Sequence, residues 1–374
     1  MNYAAIPAVL AGIYYMLALV AAIRHRLARE HQTAFLPPES ILKPIHGRDP
    51  HFYEAIRSQA AQDYPEFEIL FGVRDPADPA VADIERLQRE YPQRGIHLVP
   101  VTRKTRNGKV GALADLAAQA KYPVLLVSDS DICVEPGYLR SVVAPLEDAG
   151  VGMVTCLYRA RGESRPSRWE AIGVATEFVP SVLVARLVGV AEFALGSTMV
   201  FRAEQIARIG GFMAVADYLA DDYQLGARVA ALGYRVALAK TVVETELGCA
   251  TWREVWRHQL RWARTIRVSQ RGGYIGYAVT HATIWSIVAI AAGAWPAGVA
   301  ALAMRMAAGI VTATAVLRYR GGVRDFMLIP ARDLWGFAIW ICGLFGDTVE
   351  WRGIKLKLTR DGKIRPAART TVCQ

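Results

Sequence analysis

The chain has 374 residues, of which 53% are hydrophobic and 21% charged, and its mean hydropathy of +0.20 predicts a water-soluble body joined to membrane segments. The net charge of +10 favours anionic partners, but no zinc-finger spacing or RNA-binding aromatic signature accompanies it, so nucleic acid is not expected as a partner. The five cysteines form no CxxC pair, which argues against a disulfide framework or a zinc ribbon and fits a reducing, cytoplasmic setting.

The first predicted element is a membrane anchor over residues 1–24. Tyr3 to Ile23 contain no charged residue, and a run of about 21 residues is the length that spans a bilayer core. The basic cluster that begins at Arg24 follows the apolar run, whereas in a cleaved signal peptide it precedes the run. The positive-inside rule then makes residues 25–39 a cytoplasmic linker.

Residues 40–270 alternate short apolar runs with amphipathic stretches, a pattern that predicts βαβ units and a parallel sheet buried on both faces. The predicted strands are 40–47, 67–73, 95–101 and 123–129, and the predicted helices between them are 52–62, 79–90 and 110–120. In such sheets ligands bind beyond the carboxyl ends of the strands. Asp75, Asp78, Asp129 and Asp131 all follow strand ends, which is more carboxylates than turns alone require.

The fourth predicted strand ends in VSDSD, which places Asp129 and Asp131 two residues apart. A polar turn with a helix cap is the simpler interpretation, because aspartate often caps a helix. One cap would suffice, however, and side chains two residues apart in an extended segment share one face. The pair therefore predicts a site for Mg²⁺ or Mn²⁺, which bind carboxylate oxygens and leave positions open for phosphate.

Asp221 and Asp222 begin a predicted helix that ends at Gly233. One interpretation is purely electrostatic, because the helix macrodipole favours negative charge in the first turn. Adjacent helical residues point about 100° apart, so only one of the two is expected to face a cleft. A carboxylate held there could serve as a general base.

A predicted helix over residues 251–267 carries four arginines in one stripe and three tryptophans. They are Arg253, Arg257, Arg261 and Arg264, and Trp252, Trp256 and Trp262. This composition is typical of a helix at a membrane interface, with arginines toward anionic lipid headgroups. Guanidinium groups also suit diphosphate, because they donate two parallel hydrogen bonds. We expect an interfacial helix at about 251–270 whose arginine row partly faces an anionic ligand.

Apolar stretches return in the predicted C-terminal membrane region, residues 271–346. Residues 274–317 are long enough for a hairpin of two spanning helices. Residues 326–345 contain an arginine and an aspartate, and three interpretations are open: a spanning helix, a re-entrant segment and an interfacial helix. A non-spanning interpretation is favoured, because a third crossing would export the basic residues that follow. Residues 347–374 are then a basic cytoplasmic tail. The chain is expected to be a multi-pass protein of the inner (cell) membrane with its catalytic domain in the cytoplasm.

Taken in order, these motifs resemble the ceramide glucosyltransferase family, and most closely its bacterial relatives, which include hopanoid-associated glycosyltransferases. The resemblance lies in ILKPIHGRDP, FGVRDPADPA, VSDSDICVEPGYL, LADDYQLG and HQLRWARTIR, within residues 40–270. It implies a GT-A (Rossmann-like) α/β domain with an N-terminal transmembrane helix and C-terminal membrane helices. It also implies an inverting glycosyltransferase that uses Mg²⁺ or Mn²⁺, a UDP-sugar donor, and a lipid acceptor such as ceramide or a hopanoid.

The resemblance implies roles for individual residues. Asp222 falls on the presumed catalytic base, and Asp129 and Asp131 fall on the metal-binding pair. The residues that fall on the donor site are Lys43, Asp75, Asp78, Lys109, Asp129, His258, Arg261 and Trp262. Two positions depart from the family: His258 stands where Gln or Arg is usual, and Ala112 stands where relatives usually carry Asn.

Three other functions share part of this pattern. An aspartate-based phosphatase also ends a strand with D-x-D-x-x-V, as in DSDICV. Its motif lies on an early strand, however, and it has no role for the adjacent Arg261 and Trp262, the R-W pair. A processive polysaccharide synthase needs more spanning helices to form a channel. A non-enzymatic membrane scaffold leaves the carboxylates at the strand ends without a role.

Overall fold

The structure, a computed structural model, describes residues 2–29 and 33–366. Residues 1, 30–32 and 367–374, which belong to the predicted anchor, linker and tail, lie outside the described residues. The strands are β1 (Glu39–Pro44), β2 (Phe67–Val73), β3 (Gly95–Pro100), β4 (Val124–Ser128), β5 (Ile132–Cys133), β6 (Val151–Arg161), β7 (Thr198–Arg202), β8 (Arg235–Glu246), β9 (Thr348–Trp351), β10 (Ile354–Leu358) and β11 (Ile364–Pro366).

The α-helices are distributed between the soluble body and the two ends of the chain. They are α1 (Ala5–Leu27), α2 (Phe52–Ala60), α3 (Ala80–Glu90), α4 (Gly108–Gln119), α5 (Tyr138–Val143), α6 (Arg165–Gly173), α7 (Val179–Leu187), α8 (Ala203–Arg208), α9 (Asp221–Ala231), α10 (Trp252–Ser269), α11 (Arg271–Gly276), α12 (Ala282–Ala291), α13 (Trp295–Val311) and α14 (Ile329–Leu344). A π-helical turn, Val174–Phe178, joins α6 to α7.

The main sheet has eight strands in the order β3-β2-β1-β4-β7-β6-β8-β5. The first four are parallel, as the alternation of the sequence predicts. The predicted all-parallel sheet is wrong for the second half, where β7 is antiparallel to both β4 and β6. Ser128 of β4 pairs with Thr198 of β7. This pairing brings the residues just before β7 beside Asp129 and Asp131, which we call the D-x-D pair.

The soluble body has a hydrophobic core on each face of the sheet. Neighbouring strand residues alternate between them: Ile41 and Ile69 belong to one core, and Leu42 and Leu70 belong to the other. Helices α2, α3 and α5 contribute to the first core, and α4, α8 and α9 to the second. Coverage on both faces leaves the ends of the strands as the place for a polar site.

Among the described residues, three helical stretches are long and apolar enough to cross a membrane: Ala5–Leu27, Trp295–Val316 and Val323–Leu344. A fourth, Arg271–Thr280 with Ala282–Ala291, qualifies only as a pair bent by 51°. The last of these stretches is the one for which the sequence favours a non-spanning helix, and its length and composition would also permit a crossing.

Two charged residues within this last stretch are neutralised inside the protein. Asp333 pairs with Arg305 at 2.7 Å, and Arg332 pairs with Glu177 at 2.9 Å. All four side chains are at most 15% exposed. Charged residues in membrane segments commonly face the bundle interior and pair in this way.

Residues 348–366 of the predicted basic tail form a folded unit. Strands β9, β10 and β11 form an antiparallel sheet whose apolar side packs on Leu219 of the soluble body. The N–H of Ile364 donates to the carbonyl of Asp217 at 2.7 Å, and Arg257 pairs with Glu350 at 3.2 Å. The C-terminal sheet, as we call β9–β11, therefore lies against both α10 and the segment that precedes α9.

Candidate active site

A cleft of about 1570 Å³ lies at the carboxyl ends of β1 and β4 and continues along the membrane helices. Its lining includes Asp129 and Asp131 after β4, Lys109 in α4, Asp222 in α9 and Arg261 in α10. Residues that are remote in sequence thus converge on one cavity, as the motifs predict.

Hydrogen bonds from Lys43 in β1 and Thr245 in β8 hold the D-x-D pair in place. The buried ammonium of Lys43 donates to the backbone carbonyl of Asp129 at 2.8 Å and to the hydroxyl of Ser128 at 3.3 Å. Thr245 at the end of β8 donates its hydroxyl to the Asp131 carboxylate. Burial and the neighbouring charge of Asp129 raise the pKa of Asp131 to about 6.

Lys109 links the two acidic motifs. Its ammonium lies 2.6 Å from Asp129 Oδ1 and 3.8 Å from Asp221 Oδ2. Burial alone would lower the pKa of Lys109, but the charges of Asp129 and Asp221 outweigh burial and raise it well above the usual range. Asn107 caps α4 through the N–H groups of Lys109 and Val110, which fixes the start of this helix.

Both residues of the D-D pair, Asp221 and Asp222, line the cleft, but their carboxylates differ in burial. Asp221 is 6% exposed, and it accepts a hydrogen bond from Asn107 at 3.4 Å. Asp222 is less buried and accepts from the N–H of Gly196 at 2.9 Å and that of Tyr223 at 2.7 Å. Burial and the charge of Asp221 raise the pKa of Asp222 to about 6, a suitable value for a general base.

Helix α10 begins with a capping box of Thr251 and Glu254 and presents the R-W motif to the cleft. His258 contacts Glu170 at 2.5 Å, and its ring lies 4.6 Å from the ring of Trp262. Arg261 is mostly enclosed, and burial lowers its pKa. The rest of the arginine row differs in role, because Arg257 and Arg264 bind the C-terminal sheet and the residues just before it.

Three residues expected at the donor site do not line the cleft. Lys43 is fully buried behind the D-x-D pair, where it supports the backbone. Asp75 is exposed and caps its own turn through the N–H of Ala77 at 2.9 Å. Asp78 accepts from the N–H groups of Gly47 at 2.7 Å and Ala80 at 2.9 Å, so it ties the loop after β1 to the start of α3.

A sequence profile of the family described as Glycosyl transferase family 21 matches residues 3–364. The chain belongs to glycosyl transferase family 21. Ceramide glucosyltransferase 3 of Caenorhabditis elegans is 26% identical over 231 residues, which cover 60% of this chain and 50% of that protein. The ceramide glucosyltransferase of Komagataella phaffii is 32% identical over 153 residues, which cover 37% of this chain and 30% of that protein. The chain thus spans half the length or less of these relatives.

Among solved structures, a mannosyltransferase from Pyrobaculum calidifontis, in complex with GDP-Man and Mn²⁺, aligns with a TM-score of 0.54 at 18% identity. The alignment covers 92% of this chain and 97% of that chain. At this identity the likeness concerns the fold, and it confirms the predicted GT-A fold. Family 21 membership confirms the predicted resemblance to ceramide glucosyltransferases and removes the phosphatase and scaffold alternatives.

The D-x-D pair of this family 21 protein suits a hard divalent cation. Asp129 has a 38% exposed side chain, and the pKa of Asp131 is raised by burial and then by the charge of Asp129. A cation would relieve this crowding of negative charge. Within the described residues no cluster of three or more His, Cys, Asp or Glu has the arrangement of a metal site. Two carboxylates with further ligands from phosphate and water are the usual arrangement for Mg²⁺.

Three residues in this family 21 site are not among the site residues that the sequence predicts. Glu170 in α6 contacts His258, and Asp49 accepts a hydrogen bond from Ser130 between the two aspartates. Gly196 precedes β7 and donates its N–H to the carboxylate of Asp222. Asp49 lies in the motif ILKPIHGRDP, from which no role is predicted for it. Glu170 and Gly196 lie in no quoted motif, and only the sheet pairing and the return of α6 toward α10 bring them to the cleft.

Proposed function

We propose that this protein transfers a hexose or an N-acetylhexosamine from a nucleotide sugar, most simply a UDP-sugar, to a lipid hydroxyl such as that of ceramide or a hopanoid. The observation that carries this proposal is the convergence of the D-x-D pair, Asp222 and Arg261 on a cleft that continues between apolar helices. Family 21 membership supports the reaction type.

Asp222 acts as the general base in this proposal. The N–H groups of Gly196 and Tyr223 fix its carboxylate, and a pKa of about 6, raised by burial and by Asp221, leaves it ionised at neutral pH. It takes the proton from the acceptor hydroxyl as that oxygen attacks the anomeric carbon. Attack from the face opposite the diphosphate inverts the centre, so an α-linked donor gives a β-linked product.

The diphosphate leaves with charge that the site must stabilise. Arg261 supplies a guanidinium for bidentate hydrogen bonds to phosphate oxygens. Asp129 and Asp131 would hold Mg²⁺ or Mn²⁺, and a bound cation would supply further electrostatic stabilisation of the leaving group. Groups aimed at charge that develops during the reaction usually contribute the largest share of catalysis.

The apolar part of the cleft accounts for a lipid acceptor. Tyr14 of α1, Val184 of α7 and Ile339 of α14 all line it. Its volume of about 1570 Å³ exceeds the range of about 300–1,000 Å³ that is typical of small-molecule pockets. The additional space lies where acyl chains would approach from the bilayer.

The membrane arrangement follows from the docking of the C-terminal sheet. Because Arg257 and Glu350 form an ion pair, α10 and β9 lie on the same side of any bilayer. An even number of crossings therefore separates them. Arg320 pairs with Glu244 of β8 at 3.2 Å, so the residues that follow the helix Trp295–Val316 also lie on the side of the catalytic domain. We assign the two crossings to the bent pair and to Trp295–Val316, with Val323–Leu344 at the membrane interface, and the positive-inside rule favours a cytoplasmic catalytic domain in an inner-membrane protein.

The proposal is tested by incubating membranes that carry the protein with radiolabelled UDP-glucose and UDP-N-acetylglucosamine, with Mn²⁺ and with a chelator. The lipid extract should contain a labelled product that requires the metal and is absent for Asp222→Asn membranes. Addition of ceramide or of a hopanoid alcohol should raise the yield for one acceptor. A label that stays out of the lipid fraction under every condition would contradict the proposal. Label in a water-insoluble polymer would instead favour the polysaccharide synthase.

A further inference from the structure

The C-terminal sheet takes part in building the cleft. Trp351, Arg352, Leu356 and Arg365 all belong to its lining. The sheet is fixed at three places, by Arg257 to Glu350, by Ile364 to the carbonyl of Asp217, and by the apolar cluster around Leu219. It is therefore held firmly enough to position a side chain at the ligand.

The turn between β9 and β10 places Arg352 at its tip. Arg352 has φ 48° and Gly353 has φ 76°, so both residues of this two-residue turn are left-handed. Such turns favour Asn-Gly or Gly-Gly, and a branched or long side chain in this region costs energy. Arg352 Nη1 donates to the carbonyl of His46 at 2.9 Å, which places it beside the loop after β1.

Three arginines that line the cleft differ from Arg106 and Arg332, which also line it but pair with Asp217 and Glu177. In the part of the chain that the structure describes, no ion pair joins Arg261, Arg352 or Arg365 to a carboxylate, although each lines the cleft. Arg257, which pairs with Glu350 nearby, does not line the cleft. Guanidinium groups that line a cavity and form no ion pair of their own are available to bind a multiply charged anion.

We propose that the C-terminal sheet completes the donor site and that Arg352 binds the diphosphate of the nucleotide sugar together with Arg261. This inference rests on the proposed function for the identity of the anion. It extends the donor site beyond the motifs of residues 40–270. The added turn lies more than eighty residues after the end of α10 at Ser269. It also explains why an arginine stands where the turn geometry favours asparagine or glycine.

The test uses the full chain in detergent, with UDP and inorganic pyrophosphate as probes in the presence of Mn²⁺, measured by calorimetry. Arg352→Asn suits the left-handed turn and removes only the guanidinium. We expect its affinity for both probes to fall roughly 10-fold, the loss typical of one charge-assisted hydrogen bond. Its thermal midpoint should equal or exceed that of the parent. Lys355→Asn, on the exposed side of β10, is the matched control and should bind both probes normally.

The outcomes separate this inference from the proposed function. Equal affinity of Arg352→Asn and the parent would overturn the inference and leave sugar transfer intact. Pyrophosphate binding that weakens in Arg352→Asn, without sugar transfer to lipid by the parent, would support the anion site and contradict the function. A lower thermal midpoint with unchanged affinity would assign Arg352 a structural role and also overturn the inference.

Discussion

The ammonium of Lys109 lies 2.6 Å from Asp129 Oδ1, so a cation of the protein itself already contacts one half of the D-x-D pair. The same ammonium is 3.8 Å from Asp221. Lys109 thereby connects the metal-binding motif with the neighbourhood of the proposed base, and a change in its charge should affect both.

Lys109→Met should lower kcat by roughly 10- to 100-fold, because the site loses a buried positive charge near the leaving group. The charge of Lys109 also lowers the pKa of Asp222, so its loss should move the acid limb of the pH–rate profile to higher pH. Steady-state rates across pH at saturating metal would measure both effects. Lys109→Arg retains the charge and serves as the control. An unchanged acid limb in Lys109→Met would show that the two motifs are not electrostatically linked.

The raised pKa of Asp222 predicts how the activity of the parent enzyme depends on pH. Burial and Asp221 raise its pKa to about 6, and a general base works only when deprotonated. Activity should therefore rise with pH through about 6 and then level off. Asp222→Asn should abolish this limb and lower kcat by about 100-fold or more, while UDP still binds. Asp63→Asn, an exposed change far from the cleft, is the control. Near-normal turnover by Asp222→Asn would reject the base assignment.

The first half of the soluble body could be predicted from sequence because its information is local. Each strand from β1 to β4 lies within three residues of its predicted bounds, since apolar runs and helical spacing report burial directly. The antiparallel half could not be predicted in this way, because the order of β6, β7 and β8 depends on long-range pairing. The exposed position of Asp75 outside the cleft lining could not be predicted for a similar reason: a position after a strand does not determine which way the side chain points.

The C-terminal sheet, by contrast, carried a readable signal. Ile354, Leu356 and Leu358 alternate with two lysines, which is the period of a strand, and a glycine follows Arg352 at the turn. The basic charge of this segment suggested a solvated tail instead. The buried pairs of α14 were beyond prediction, because sequence shows the charges of Arg332 and Asp333 but not the partners that neutralise them.

Gly196 is predicted to be required for its small size. A Cβ at this position would lie 3.1 Å from Asp222 Oδ2 and 3.6 Å from Lys109 Nζ. Gly196→Ala should therefore displace the carboxylate by a few tenths of an ångström and lower kcat about 10-fold, since small misplacements of catalytic groups are costly.

The measurement for Gly196→Ala is kcat alongside the thermal midpoint. Gly137→Ala, where a Cβ would meet no atom within 4 Å, is the control for the substitution itself. The midpoint of Gly196→Ala should stay close to that of the parent. A large loss of stability with proportionate loss of activity would mean that the site is not specifically affected.

The buried ion pair of Arg305 and Asp333 should be critical for the stability of the helix bundle. Arg305 is 0% exposed and donates from Nε to Asp333 at 2.9 Å, and Thr283 donates its hydroxyl to the same aspartate at 2.7 Å. Removing one partner leaves an uncompensated charge, which typically costs about 3–5 kcal/mol. Arg305→Met should thus lower the thermal midpoint in detergent strongly. The double variant Arg305→Met/Asp333→Leu should recover most of the loss, because an apolar pair of similar volume is often nearly neutral. If the double variant were no more stable than Arg305→Met, packing around Arg305 rather than charge pairing would determine the stability of the bundle.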